Sequence, residues 1–243
     1  MPLVSCHRGK LQVASSEALA AGKTRGFSTG LNAVDRLLHG EAFAYGAIHE
    51  ILAEPGQGLP LFFAAMLARA AMVGEQKCAS PSPGAVVWSD PQRQLYPPAL
   101  AAAGIPLHRL LLLRPRTPAD ELWAVAECLR CKAVRATLAN PQRLSQIEAR
   151  RLQLAAEAGG GAGILLRVAG PNSSQYAAAT RWLVRHARGE PTLQRWQLQL
   201  IHGHGGHVGN TIILEACHQT NHVRAFATVA DRSPETQVAR KRA

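Results

Sequence analysis

The chain is poor in aromatic residues, cysteine and acids. Aromatics make up 5% of its 243 residues, and 16 acids stand against 27 lysines and arginines. So few rings argue against an all-β sandwich or barrel, whose strands draw on Tyr, Phe and Trp. The dispersed acids leave no paired carboxylates for general acid–base work, and no Ser/His/Asp order stands out. The five cysteines (Cys6, Cys78, Cys128, Cys131, Cys217) form an odd, scattered set, which suits a reducing compartment and not a disulfide framework. Cys128 and Cys131 make a CxxC inside the helix-like "ELWAVAECLRCKAV". With no second pair to complete a zinc site, they read as buried thiols on a core-facing stripe. No run approaches the ~20 apolar residues of a membrane-spanning helix. "MPLVSCHRGKLQ" lacks the apolar centre of a signal peptide, so a cytoplasmic protein with no membrane partner is expected.

What the chain has in excess is apolar mass and positive charge. Apolar residues make up 47%, enough for a sizeable core, and the formal charge is +11 with a pI near 10.2. Alanine and leucine dominate, which favours helices packed on a sheet. The charge points to a polyanionic partner, nucleic acid first.

Hydrophobic patterning gives five strand–helix repeats with short links. Strands are expected at 47–53, 85–90, 109–115, 133–139 and 163–169, and helices at 31–38, 59–74, 95–105, 118–132 and 145–160. The strands are continuous in apolar residues, as parallel strands buried on both faces are. The alternation predicts an α/β fold, a mainly parallel sheet flanked by helices and joined by right-handed crossovers. The pattern changes after residue 170. "NSSQYAAATRWLVRHARG" (172–189) reads as partly helical and basic, and 195–217 as an antiparallel hairpin on the sheet edge, open to strand pairing. Three regions result: a leader at 1–26 with a short helix over Ser15–Ala21, a core at 27–217, and a flexible basic tail at 218–243.

The stretch "ILAEPGQGLPLFFAAMLARA" raises the main chemical question. Strand, Gly/Pro-rich turn and helix follow one another as in a phosphate-binding P-loop. In such a loop, backbone N–H groups cradle the phosphates, a Lys supplies charge and a Ser/Thr holds Mg²⁺. Here Gly58 is followed by Leu59 and Pro60, and Ala53 stands where the motif begins with glycine. Leu59 has no charge, and Pro60 has neither an N–H nor a hydroxyl, though it suits a helix's first turn. The "AAGKT" at 20–24 is a decoy, since Glu17 replaces the first glycine and no strand precedes it.

The order of motifs resembles the RecA core. "STG" (28–30), a short helix with Asp35, and Gly46, Ile48, Glu50 and Ile51 fit the approach to the P-loop. The resemblance spans residues 27–170. It places Asp90 at the water-activating glutamate and Asn140 at the Walker B aspartate. Asn140 lacks the charge to orient hydrated Mg²⁺, and Asp90 without a phosphate has no water to activate, which makes capping its more ordinary role. Ala53, Gly58, Leu59, Pro60, Asp90 and Asn140 therefore outline a degenerate nucleotide site, with no cofactor, no metal and no catalytic residue expected.

"LWAVAECLRC", "RRLQLAAEAGG" and the 196–224 stretch are further similar to ImuA, a SulA/RecA-like family of accessory proteins in mutagenic translesion synthesis. That resemblance implies a non-enzymatic role in the SOS response and contacts with a Y-family polymerase homologue and an error-prone replicative-type polymerase. RecA and single-stranded DNA are further candidate partners, as is self-association, and the setting would be the nucleoid. Two other readings stay open: a SulA-type cell-division inhibitor, and an atypical RecA-like ATPase.

Basic residues late in the chain supply the candidate contact surface. Arg143, Arg150 and Arg151 lie near or on one helix, and Arg181, Arg185 and Arg188 are expected to share a helical face. Tyr176 and Trp182 could stack on bases beside them, the alternative being a solvated face with Trp182 in the core. His204 and His207, in the glycine-rich "HGHGGH", read as a hairpin tip touching DNA or a partner, since no Cys or carboxylate precedes Glu215 to complete a metal site. Arg224, Arg232, Arg240, Lys241 and Arg242 load the tail with charge.

Overall fold

The computed structural model of the chain describes residues 4–7, 10–13, 25–74, 84–170, 178–187, 193–217 and 223–229. The leader helix at Ser15–Ala21, Tyr176, Arg188, His218, His222, Arg232 and Arg240–Arg242 lie outside them. Two short antiparallel ladders come first: β1 (Val4–His7) with β2 (Lys10–Val13), and β3 (Gly26–Phe27) with β4 (Phe43–Ala44). Between β3 and β4 lies a one-turn helix, α1 (Asn32–Asp35).

The body is a nine-stranded sheet. Its strands are β5 (Ala47–Ala53), β6 (Ala85–Ser89), β7 (Leu110–Leu113), β8 (Val134–Ala139), β9 (Ala162–Val168), β10 (Thr180–Ala187), β11 (Leu193–Gly203), β12 (Thr211–Cys217) and β13 (Val223–Val229). Their order is β13-β12-β11-β10-β5-β9-β8-β6-β7. Every pair from β10 to β7 is parallel, and every pair from β10 to β13 is antiparallel. The expected α/β architecture is therefore present, with an antiparallel C-terminal region.

Helices cover both faces of the parallel half. On one side α2 (Leu61–Val73) and α3 (Pro97–Ala102) pack over Ile51, Val86, Leu138 and Ile164. On the other, α4 (Pro118–Arg130) and α5 (Gln146–Gly159) pack over Ile48, Ala139 and Leu165. Neighbouring strand residues point to opposite sides, so alternate residues of β5 and β9 serve the two layers. The starts of α4 and α5 follow from the local sequence. The Thr117 hydroxyl accepts from Asp120 N–H (3.1 Å), ahead of Pro118. Ser145 and Glu148 form a reciprocal capping box, and hydrogen bonds from Ser145 hold the Glu148 carboxyl below its usual range. Gly160, at φ 76°, closes α5 in the left-handed conformation that glycine tolerates.

Three expectations are corrected. The basic segment read as helical holds β10, a strand paired in parallel with β5 from Thr180↔His49 to Val184↔Ala53. Its period is two: Thr180, Trp182 and Val184 turn inward, while Leu183 and Arg185 are half-buried. A slot beside the central strand overrides the helix-forming residues around it. The hairpin β11–β12 does not end the sheet, because β13 pairs on β12, so a strand lies within the stretch read as a flexible tail. Cys131 is exposed at the end of α4, with its backbone extended, and is not part of a core stripe.

Candidate functional site: a filled nucleotide turn

The turn after β5, where the sequence places the nucleotide loop, is tied to the sheet by this chain's own side chains. Glu54, the first residue past the strand, accepts from Gln57 N–H through its carbonyl (3.0 Å) and from Gln57 Nε2 through its carboxylate (2.9 Å). Arg185 Nε of β10 donates to the same carboxylate (3.1 Å), and Gln57 Oε1 accepts from His186 N–H (2.8 Å). The loop is thus tied to the neighbouring strand by both its polar side chains. Leu59 packs against the core and Pro60 is buried. The amides at the start of α2 turn back onto the loop: Leu61 N–H donates to Leu59 O (2.8 Å) and Phe63 N–H to Pro60 O (3.1 Å). Leu59, where a P-loop places its lysine, supplies no charge to this turn.

The other two outline residues are placed differently. Asp90 is buried, and its carboxylate accepts from Gln94 N–H (2.8 Å) and Leu95 N–H (3.3 Å). It pins the 90–95 loop, where Arg93 takes a positive φ of 56°. Asn140 follows β8, half-buried. Asp35, at the end of α1, does similar work for the "STG" segment, accepting from Ser28 Oγ (2.6 Å) and from Thr29 N–H and Oγ1 (3.0 and 2.8 Å).

The basic residues separate into buried and exposed sets. Arg181 is 6% exposed and its Nε donates to Glu50 Oε2, so it is not a surface cation. Trp182 is 0% exposed, stacked on Phe43 at 5.8 Å and edge-on to Phe63 at 5.6 Å, so it offers no face to a base. Arg185 is half-buried and occupied by Glu54. Arg143, Arg150 and Arg151 are exposed on or just ahead of α5, with Arg150 3.9 Å from Glu157. The exposed Arg224 reaches Glu215 through Nη2 (2.6 Å). His204 and His207 are exposed, but the tip that carries them is docked: His207 N–H donates to Leu37 O (2.8 Å), and a Cβ at Gly206 would stand 2.7 Å from that same carbonyl.

No family model matches the chain. Two curated relatives do, both named Protein ImuA, from Caulobacter vibrioides strains NA1000 / CB15N and ATCC 19089 / CIP 103742 / CB 15. Each is 31% identical over 166 residues, covering 61% of this chain and 68% of the relative. The chain belongs to the ImuA family.

In this ImuA-family chain, two carboxylates that sequence reasoning did not single out as charged centres hold the sheet together. Glu50 of β5, 1% exposed, takes Arg181 Nε on one oxygen and Arg167 Nη1 (2.9 Å) on the other. Glu215 of β12 takes Arg195 Nε (2.7 Å) and Arg224 Nε (3.0 Å), and these hydrogen bonds, Arg224's first, hold its carboxyl below the usual range. His49 is buried beside Glu50. Burial pushes its pKa down to about 4, so the ring is neutral: Nε2–H donates to Ala44 O and Nδ1 accepts from the Thr180 hydroxyl, each at 2.9 Å. Thr180 in turn accepts from Trp182 Nε1 (3.2 Å). Strand alternation marks which of these residues share a face, but it does not reveal partners 117 to 131 positions apart. Among the described residues no group of three or more His, Cys, Asp or Glu could hold a metal ion, and no helix is long and apolar enough to cross a membrane.

Proposed function

We propose that the protein is a non-enzymatic accessory factor of the DNA-damage response. It supports error-prone translesion synthesis by contacting a Y-family polymerase homologue and an error-prone replicative-type polymerase at the nucleoid. Membership of the ImuA family supports the damage-response role. The observation that supports the non-enzymatic part is the turn after β5, where Leu59 and Pro60 stand at the positions of lysine and hydroxyl and Glu54 and Gln57 are engaged with β10. The exposed Arg143, Arg150 and Arg151 are the surface we assign to single-stranded DNA or a polymerase partner.

The test is genetic, with a binding arm. Cells lacking the protein should lose most ultraviolet-induced mutation, and the intact chain should restore it and co-purify with the polymerase homologue. Unchanged mutation frequency in the deletion, with loss of damage-induced filamentation instead, would replace this reading with a division inhibitor. On single-stranded DNA, the Arg143/Arg150/Arg151→Ala variant should bind more weakly and show a salt slope lower by about one per lost phosphate contact.

A further inference from the structure

The two strands that end the sheet are built in opposite ways. β7 is four residues long and is bracketed by Arg109, Arg114 and Pro115. Short length, charge and proline are the means by which natural sheets blunt an edge. β13 runs seven residues, "VRAFATV", with no proline and no lysine. Its single cation, Arg224, is turned onto Glu215. Among the described residues no strand pairs with the outer side of β13.

A groove of about 720 Å³ lies between β13 and the α1 segment. Leu31, Ala33, Leu37, Val223 and Ala225 give it an apolar lining, and Arg36 and Arg224 add two guanidinium groups. Arg36 is exposed and makes no ion pair among the described residues. A strand edge with no partner among the described residues, beside an apolar groove, is the arrangement that captures an extended peptide by strand addition. Main-chain hydrogen bonds supply affinity, and alternate side chains enter the groove.

We propose that β13 and this groove bind an extended segment of a partner protein that carries apolar residues alternating with acidic ones, added to the nine-stranded sheet as a further strand. Charge selects this occupant. A second copy of the chain would bring Arg36 against its own counterpart on a molecule of net charge +11, whereas an acidic side chain would answer it; Arg224 is already paired with Glu215. This inference goes beyond the proposed role and does not rest on it.

The probe is a capped fluorescent peptide of about ten residues alternating valine and glutamate, titrated against the full chain by anisotropy, with a valine/lysine peptide as control. The glutamate peptide should saturate and slow amide exchange in Val223–Val229, and the lysine peptide should not bind. Arg36→Glu should weaken binding by about tenfold or more. Ala33→Trp, which fills the groove without touching the strand, should weaken it comparably. Equal binding of both peptides, absence of saturation, or indifference to both substitutions would overturn the proposal. So would a self-associated protein that Ala33→Trp converts to monomer, since a second copy would then be the occupant.

Discussion

The parallel and antiparallel halves of the sheet solve different problems with similar strands. From β5 to β6 the strands are mainly apolar and packed between helices, with His49, Glu50 and Thr137 as buried polar exceptions inside them. From β10 to β13 one face joins the core through Trp182, Trp196, Leu198 and Leu214, while the other carries Arg181, Arg185, Arg195, Glu215 and Arg224. In the parallel half the turn after β5 is tied to β10 through Glu54 and Gln57. Among the described residues the antiparallel half holds the Glu215 cluster and a last strand, β13, with no partner on its outer side. On the proposed reading, the turn after β5 is kept for its geometry and recognition lies at the other end of the sheet.

The largest test of that division lies where the halves join. Glu50→Ala leaves Arg167 and Arg181 without their shared counter-charge, and should destabilise the protein by about 3–5 kcal/mol in urea unfolding. A loss under about 1 kcal/mol would mean that the pair does not tie β10 to the parallel half. Next comes the docking of the β11–β12 turn. Gly206→Ala forces a methyl group against Leu37 O and should cost about 1–3 kcal/mol, with faster amide exchange at His207.

The pH dependence is a finer probe. His49 is held neutral when folded, with a pKa of about 4, and unfolds to an ordinary histidine near 6.5. Between those values the unfolded chain binds the extra proton. Stability is therefore full above about pH 6.5 and falls as pH drops toward 4, by up to about 1.4 kcal/mol per pH unit. The depressed Glu215 adds a further loss in the same direction at more acid pH. A His49→Gln variant should lose the part of the slope between pH 6.5 and 4. The smallest effect is expected from Arg185→Ala. Its pair with Glu54 is about a third exposed and should contribute under about 1 kcal/mol, although the turn after β5 should loosen in amide exchange.

How much was legible follows from which forces are local. β5 is legible residue for residue because "AIHEILA" is a buried run between glycine and a turn, and α5 because a helical stretch ends in the glycines after Ala158. β10 was misread because "TRWLVRHA" supports a helix locally, while the vacancy beside β5 that makes it a strand is set by residues far away in sequence. That Leu59 and Pro60 stand where a P-loop needs lysine and hydroxyl is legible in the sequence alone. The ties of Glu54 and Gln57 to β10 are not, since their partners Arg185 and His186 lie about 130 residues downstream. For the same reason Arg181 looked like a surface cation until Glu50 was placed beside it.

The most direct measurement of the central claim is a calorimetric titration of the intact protein with Mg-ATP. A turn occupied by Glu54, Gln57, Leu59 and Pro60 and tied to β10 should give no saturable heat, and Arg185→Ala, which unties one side, should not create any. Saturable, magnesium-dependent binding by the unmodified chain would contradict the account, because it would mean that the turn still accepts phosphate despite the side chains that fill it.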